Sequence, residues 1–538
     1  MKMKNLKMLS KINFIAFLLV LFLLISCTKD LDIVPQDDDD FTSEIFYQNP
    51  NSYKQFLAKI YSGLALTGQS NVAGNSDLGS GAGTVDEGFS QYLRGYWQLQ
   101  ELCTDEAIIA WNDPTIPDLN TNSWNADNIY TEAFFARIFF QIGLCNEFLR
   151  ETTDAKLSER GVTDDLKTQI KMFRAEVRFL RSLSYYHGID IFGKIPFATE
   201  ADFLGTPPPM KSRVFVFEYI LSELNAINED MAAPRANEYA RADQAAAWML
   251  KAKLLLNAKV YTGTDRSAEA LSAVNQVINS GYTIAQIPYS NLFKADNNIN
   301  GAQNEIIFPI AYDGIKTCSY GGTTFLIHGS SDNTLALSLG VDSGWRGFRT
   351  RQEFVSVANN DPRVMIVGGN TDPAFITNPT VTQNPDAFLE GKKLIKYSNK
   401  RSDGSLAQSA TFPDTDFPLF RMADAYLMYA ELAVKGFGDI GTAVGYVNAL
   451  RTRANSQTIT DNDLTIDFVL NERGKELYWE GHRRQDLIRF GKYLSGYTWQ
   501  WKGGALLGVD IPEYKLVYPI PRKELTSNSN LSQNIGYN

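Results

Sequence analysis

Between Asp165 and Gly193 the chain reads DLKTQIKMFRAEVRFLRSLSYYHGIDIFG, with Leu166, Ile170, Phe173, Val177, Leu180 and Leu183 three or four residues apart and Lys or Arg between them. A strand would alternate every second residue, so this spacing selects an amphipathic helix, which Gly188 and Gly193 are expected to end. The period returns in pairs: ADQAAAWMLKAKLLLNAKVYTG before SAEALSAVNQVINSG, and FRMADAYLMYAELAVKG before IGTAVGYVNALRTRAN, each pair divided by a Gly-containing turn. A further helix is expected from DFVLNERGKELYWEGHRRQDLIRFGKY. Such hairpins have the texture of tetratricopeptide units, although no single period repeats. The fold class is therefore mainly α-helical, a tetratricopeptide-like helical-hairpin scaffold with helices around 160–282 and 418–500.

The texture changes between these blocks. Residues 68–130 and roughly 283–417 are rich in Gly, Asn, Asp, Thr and Pro, and runs such as NEIIFPIAYDG and TTFLIHG can form at most brief strands. Long irregular segments in a compact protein usually carry function, so these form a large loop-rich subdomain where a ligand is to be sought. No Ser/Gly- or Pro-rich linker divides the chain, and residues 43–538 read as a single unit.

The N-terminus is a separate matter. Lys2, Lys4, Lys7 and Lys11 precede the apolar run INFIAFLLVLFLLIS. At about fifteen residues that run is short for the roughly 20 of a spanning helix, and residues 1–26 read as a signal peptide. Leu24-Ile25-Ser26-Cys27 resembles a bacterial lipobox, which would lipidate Cys27 and leave residues 27–42, acidic and broken by Pro35, as a flexible tether. Removing the signal takes four of the 51 Lys and Arg and none of the 61 Asp and Glu, leaving a net charge of −14. That balance argues against nucleic acid as a partner. Cys103, Cys145 and Cys318 are too sparse for a disulfide framework or a zinc site.

Catalytic patterns are missing. HExxH, G-x-S-x-G and Walker motifs do not occur, and GSGAG at Gly79 to Gly83 lacks dinucleotide-binding spacing. The three histidines, His187, His328 and His482, are scattered. The segment TDEAIIAWNDPTIPDLN, Thr104 to Asn120, sets Asp105, Glu106, Asp113 and Asp118 around Trp111. A glycoside hydrolase places two carboxylates across a sugar; Asp105 and Glu106, adjacent in sequence, would diverge, and capping is the favoured reading. The aromatics of the irregular regions, Tyr92, Tyr96, Trp97 and Trp111 in one and Tyr320, Phe325, Trp345 and Phe348 in the other, suit either a core or a stacking surface for sugar rings. Asp296, Asn297 and Asn298 in ADNNIN offer oxygen ligands for a structural calcium, or an ordinary Asn-rich turn. A glycan-binding protein, a hydrolase and a protein-binding adaptor all remain open from the residues alone.

PLFRMADAYLMYAELA, AVGYVNALRTRAN, LNERGKELYWEGHRRQDLIRFGKY, YPIPRKEL and LSQNIGY, together with FRAEVRFLRSLSYYHGIDIFGKIPF and the lipobox, resemble the SusD/RagB family of Bacteroidetes outer-membrane glycan-binding lipoproteins. The resemblance covers nearly the whole mature chain. It implies a non-enzymatic, lipid-anchored protein on the outer surface of the outer membrane that needs no cofactor and delivers oligosaccharides to a SusC-like TonB-dependent porin. Within the family the chain is similar over long stretches to its starch-binding founding member, in TDEAIIAWNDPTIPDL, DGIKTCSYGGTTFLIHG and KYSNKRSDGSLAQSATFPDTDFPLFR. That similarity places glycan-binding roles on Asp86, Arg94, Tyr320 and Trp345 and implies an α-glucan ligand. It sets Ile109 where the relative has an arc Trp and Pro114 where it has an Asn. Trp111, Asn112 and Asp113 are then the candidate replacements, and a β-glucan such as laminarin is the alternative ligand.

Overall fold

The computed structural model describes residues 42–68, 76–78, 86–111, 113–367 and 391–537. The signal peptide, Cys27, nearly all of the tether, the GSGAG loop and Asn112 lie outside the described residues. The chain divides into an N-terminal unit through Ser52 and a second unit from Tyr53 to the C-terminus. The described part of the first contains the helix Ser43–Phe46, whose Ile45 N–H is accepted by the Thr42 hydroxyl at 3.4 Å. The second unit carries the helices and strands that follow Tyr53.

That unit is mainly helical. Its principal helices are α1 (Tyr92–Glu101), α2 (Ile129–Glu151), α3 (Asp164–Phe192), α4 (Arg213–Ala226), α5 (Gln244–Leu256), α6 (Ser267–Ile278), α7 (Gly322–Gly329), α8 (Met422–Val434), α9 (Ile440–Arg453) and α10 (Ile466–Leu477). Successive helices pack on one another from α2 through α6, α6 meets α8, and α8 carries both α9 and α10. In α3, Ile170, Phe173, Val177, Leu180 and Leu183 are all buried, each contributing about 1.5 to 3 kcal/mol of apolar transfer. The paired helices begin at side-chain caps where the sequence supplies them: Asp243 accepts from Ala246 N at 3.0 Å and Asp439 from Thr442 N at 2.7 Å.

Three local expectations are corrected. Helix α3 runs through Gly188 and ends only at Gly193, whose φ is 74°. At Gly188 a Cβ would lie 3.0 Å from Ile195 Cδ1, so this glycine serves close packing and not helix termination. TTFLIHG is the body of helix α7 and not a strand. The long C-terminal helix is broken: α10 stops at Leu477, helix resumes at Arg483–Arg489, and between them Trp479 (φ 60°) and Gly481 (φ 80°) are left-handed.

Two short ladders tie the irregular segments together. Strand β1 (Ile108–Ile109) pairs antiparallel with β3 (Phe348–Arg349), and β2 (Ile306–Ile310) pairs with β4 (Phe417–Arg421). NEIIFPIAYDG thus does supply a brief strand. Beneath α8 and α10 the motif residues form a buried ionic lattice. Arg421 meets Glu305, Glu476 and Glu480 within 3.0 Å, and Arg473 joins Asp424 to Asp486. Charges this deep persist only when each is paired and hydrogen-bonded, so RMAD and NERGKELYWEGHRRQD encode the fold.

Candidate glycan-binding site

Of the aromatics singled out from sequence, Tyr92, Tyr96, Trp97, Phe325 and Phe348 are core, whereas Trp111, Tyr320 and Trp345 are half-buried. These three line up. Ring centroids are 6.3 Å apart from Trp111 to Trp345 and 6.2 Å from Trp345 to Tyr320, and the row continues 5.4 Å onward to Phe412, which is also half-buried. Phe412 was not among the candidates, because one Phe in the polar run between Arg401 and Thr415 carries no periodic signal. Four rings from four separate segments make a strip whose individual faces match the C–H face of a pyranose.

The strip is held from below by backbone. Segment 345–347 hydrogen-bonds to the C-terminal carbonyls of α7 and the loop after it: Trp345 N to His328 O at 2.7 Å, Arg346 N to Ser331 O at 2.9 Å and Gly347 N to Gly329 O at 2.9 Å. Ala110 N closes on Gly347 O at 2.9 Å, extending the β1/β3 ladder to the residue before Trp111. The Trp111 indole lies directly over Gly347, where a Cβ would come within 2.7 Å of its Cε2 and Cζ2. On the other side Glu87 accepts from Tyr320 N at 3.1 Å.

Arg94 lies beneath the row. Only 4% exposed, its guanidinium sits between Phe325 at 4.2 Å and Phe89 at 4.6 Å and reaches the Tyr320 carbonyl at 3.5 Å. Burial lowers its pKa, opposed by Tyr130, Asp86 and Asp113. Asp86, exposed, and Asp113, half-buried, therefore both act on this cation, and Asp86 also accepts from Phe89 N at 3.3 Å. The structure thus gathers Asp86, Arg94, Trp111, Asp113, Tyr320 and Trp345 at one locality.

Ile109 does not face this surface. It is fully buried in β1, its N–H and carbonyl both bonded to the Asn120 amide at 3.1 and 2.6 Å. Trp111, two residues on, is the ring of this segment that reaches the strip. Pro114 is exposed in the following turn.

The carboxylates that suggested hydrolysis have other work. Asp105, 0% exposed, takes a bidentate bond from Arg483 (2.7 Å twice) and one from the Tyr497 hydroxyl at 2.7 Å. Burial would raise its pKa, but Arg483 and Tyr497 hold it below the usual carboxylate range. Glu106 accepts from Trp479 N at 3.0 Å, while Glu101 accepts from Gly481 N and His482 N at 2.7 and 3.1 Å. These acids stabilise the break after α10 by receiving backbone N–H groups that no helix satisfies. Burial pushes Glu101 up to about 7. Burial likewise raises Glu106, with the neighbouring Glu101 charge adding to it. No sugar reaches carboxylates this deeply covered.

Nor do the calcium candidates converge as a cation site. Asp296 accepts from Ser402 N at 2.9 Å, from its hydroxyl and from Asn300 Nδ2 at 3.1 Å. Asn297 is buried and bonds Leu292 O and Asp416 O, whereas Asn298 is exposed. Three hydrogen bonds fall on the Asp296 carboxylate, and the Asn-rich turn ties loops together. Among the described residues no group of three or more His, Cys, Asp or Glu is placed to hold a metal.

Comparison with known proteins gives a consistent result. A profile of the SusD family matches residues 304–537. The starch-binding protein SusD of Bacteroides thetaiotaomicron is 36% identical, over 95% of this chain and 96% of that protein. SusD-like protein P2 of Formosa agariphila is 23% identical over 78% of this chain and 82% of its own. Among solved structures, a SusD superfamily protein from Parabacteroides distasonis superposes with a TM-score of 0.67 at 19% identity, covering 93% of this chain and 100% of that one. Surface glycan-binding protein A from Bacteroides thetaiotaomicron, solved in complex with laminarihexaose, gives 0.65 at 20% identity over 90% and 98% of the two chains.

Proposed function

Because the chain belongs to the SusD family, we propose that it is a cell-surface glycan-binding protein that holds an α-glucan, starch or a maltooligosaccharide, on the strip Trp111–Trp345–Tyr320–Phe412. The observation that carries this reading is the strip itself: half-exposed rings 5.4 to 6.3 Å apart, fixed by backbone bonds. An apolar face receives the C–H side of each sugar, Asp86 and Asp113 supply partners for hydroxyls, and Arg94, buried beneath the row, supports it through the Tyr320 carbonyl. The α-glucan is supported by a relative named as starch-binding.

The protein is read as binding without catalysis: among the described residues Asp105 and Glu106, the acids that suggested hydrolysis, are buried and engaged by Arg483 and by the Trp479 backbone N–H. Its place is the outer face of the outer membrane, held there by lipid on Cys27, from which it passes oligosaccharide to a SusC-like TonB-dependent porin. Among the described residues no helix is long and apolar enough to cross a membrane. Titration of the protein with amylopectin, maltoheptaose, laminarin and a non-glucan control tests the ligand. Saturable binding of maltoheptaose is the expected result; preference for laminarin would transfer the same strip to a β-glucan, and sustained release of reducing ends would overturn the non-enzymatic reading.

A further inference from the structure

One side chain ties the segments that carry Trp345 and Phe412 to α7. His328, in the last turn of α7 and 1% exposed, lies flat beneath Trp345, with centroids 4.8 Å apart and planes inclined by 25°. Its Nδ1 is 2.7 Å from Ser343 O, two residues before Trp345, and its Nε2 is 3.0 Å from Thr411 O, one residue before Phe412. Its own carbonyl accepts from Trp345 N at 2.7 Å. Asp342 reinforces the join, its carboxylate accepting from the hydroxyls of Ser343 and Thr411 and its N–H donating to Ala410 O.

We propose that His328 is a positioning residue of the glycan site: its ring supports the underside of Trp345 and its nitrogens set the separation of the Trp345 and Phe412 loops, so that sugars can be held across both. The proposal rests on the strip being the glycan site. The two shorter contacts are to carbonyls, which only accept; the third, 3.4 Å from Nδ1, is to the Ser343 hydroxyl, whose hydrogen goes to Asp342, and a neutral imidazole carries one N–H. The shorter contact assigns that hydrogen to Nδ1, donating to Ser343; the bond to Thr411 is completed when the ring is protonated. Burial holds the imidazole below its ordinary pKa, opposed by the two carbonyls and by Asp342, the charged group that acts on the ring among the described residues. At neutral pH the ring is thus a single staple and a stacking support, and in acid it becomes a double staple.

The test is calorimetric titration of the full chain with maltoheptaose and with laminarihexaose at pH 7, for wild type, Trp345→Ala, His328→Phe and His328→Gln, with folding checked by circular dichroism. His328→Phe keeps a flat ring under Trp345 and removes both nitrogens; it should weaken binding about tenfold, the value of one ordered hydrogen bond. His328→Gln restores a donor and should recover part of that loss, which a general packing defect would not allow. Wild-type affinity in His328→Phe, with Trp345→Ala impaired, overturns the proposal. Wild-type affinity in Trp345→Ala overturns the strip as the glycan site. If His328→Phe does not fold, acid titration of tryptophan emission in the wild type decides: imidazolium quenching that is lost in Trp345→Phe supports the stacked pair, and its absence refutes it.

Discussion

Trp111 donates its indole N–H to the backbone carbonyl of Trp345 at 2.9 Å, so one ring of the strip fixes the chain that carries the next. Trp111→Phe keeps an apolar face but loses this bond and should weaken glycan binding about three- to tenfold. Trp111→Ala removes the face as well and should weaken it at least tenfold. Titration of both variants with maltoheptaose checks the order.

Gly347 gives a second test, because the Trp111 ring lies within 2.7 Å of where its Cβ would be. Gly347→Ala must displace the indole or the β1/β3 ladder. Overpacking of this kind costs about 1 to 3 kcal/mol. A loss of glycan affinity together with a lower denaturation midpoint is expected; wild-type values for both would show that the indole does not rest there.

The Asp105–Arg483 pair is predicted to matter for folding alone. Asp105→Asn takes from a buried guanidinium its bidentate partner and leaves Glu106, 3.9 Å away, as the nearer remaining acid, a change that costs about 3 to 5 kcal/mol. Denaturant unfolding should show this loss, while the folded fraction binds glycan as the wild type does. A binding defect in fully folded Asp105→Asn would return this acid to the site.

Acidification should destabilise the protein through two histidines. Burial pushes both His187 and His482 down to about 3, against about 6.5 in an unfolded chain. Between those values the unfolded state binds protons that the native state refuses, so stability falls as pH drops from about 6.5 toward 3. Denaturation midpoints measured across this range should fall more gently in His187→Gln than in wild type.

On the proposed lipidation of Cys27, Cys27→Ala should release the protein from the membrane fraction. Fractionation of cells expressing both forms checks this, and unchanged membrane recovery would point to another anchor.

The helical scaffold was readable because its signal is local: buried residues three and four apart in α3 need no partner to be recognised. The break after Leu477 was not, because the groups that stabilise it, Glu101 and Glu106, stand about 370 to 380 residues away. TTFLIHG, with its β-branched start, became helix because tertiary packing against α1 outweighs intrinsic preference. Asp86, Arg94, Tyr320 and Trp345 were found through local motifs, and the structure brings them together. Phe412 and Gly347 had no comparable signal, since a lone Phe or Gly in a polar loop looks the same whether it serves a ligand or a turn. Ile109 is buried in the β1/β3 ladder, and the ring of its segment that reaches the strip is Trp111, two residues on.

The strip is assembled from residues 111, 320, 345 and 412, and α7 and the β1/β3 ladder align them only in the folded chain. An unfolded chain therefore has no comparable platform, and glycan is taken up by the native state alone. Its free energy of binding adds to that of folding, by about 2.7 kcal/mol when free ligand stands at a hundred times the dissociation constant. Glycan bound on the strip would thus protect the protein, and resistance to heat and proteolysis should rise and fall with the supply of polysaccharide.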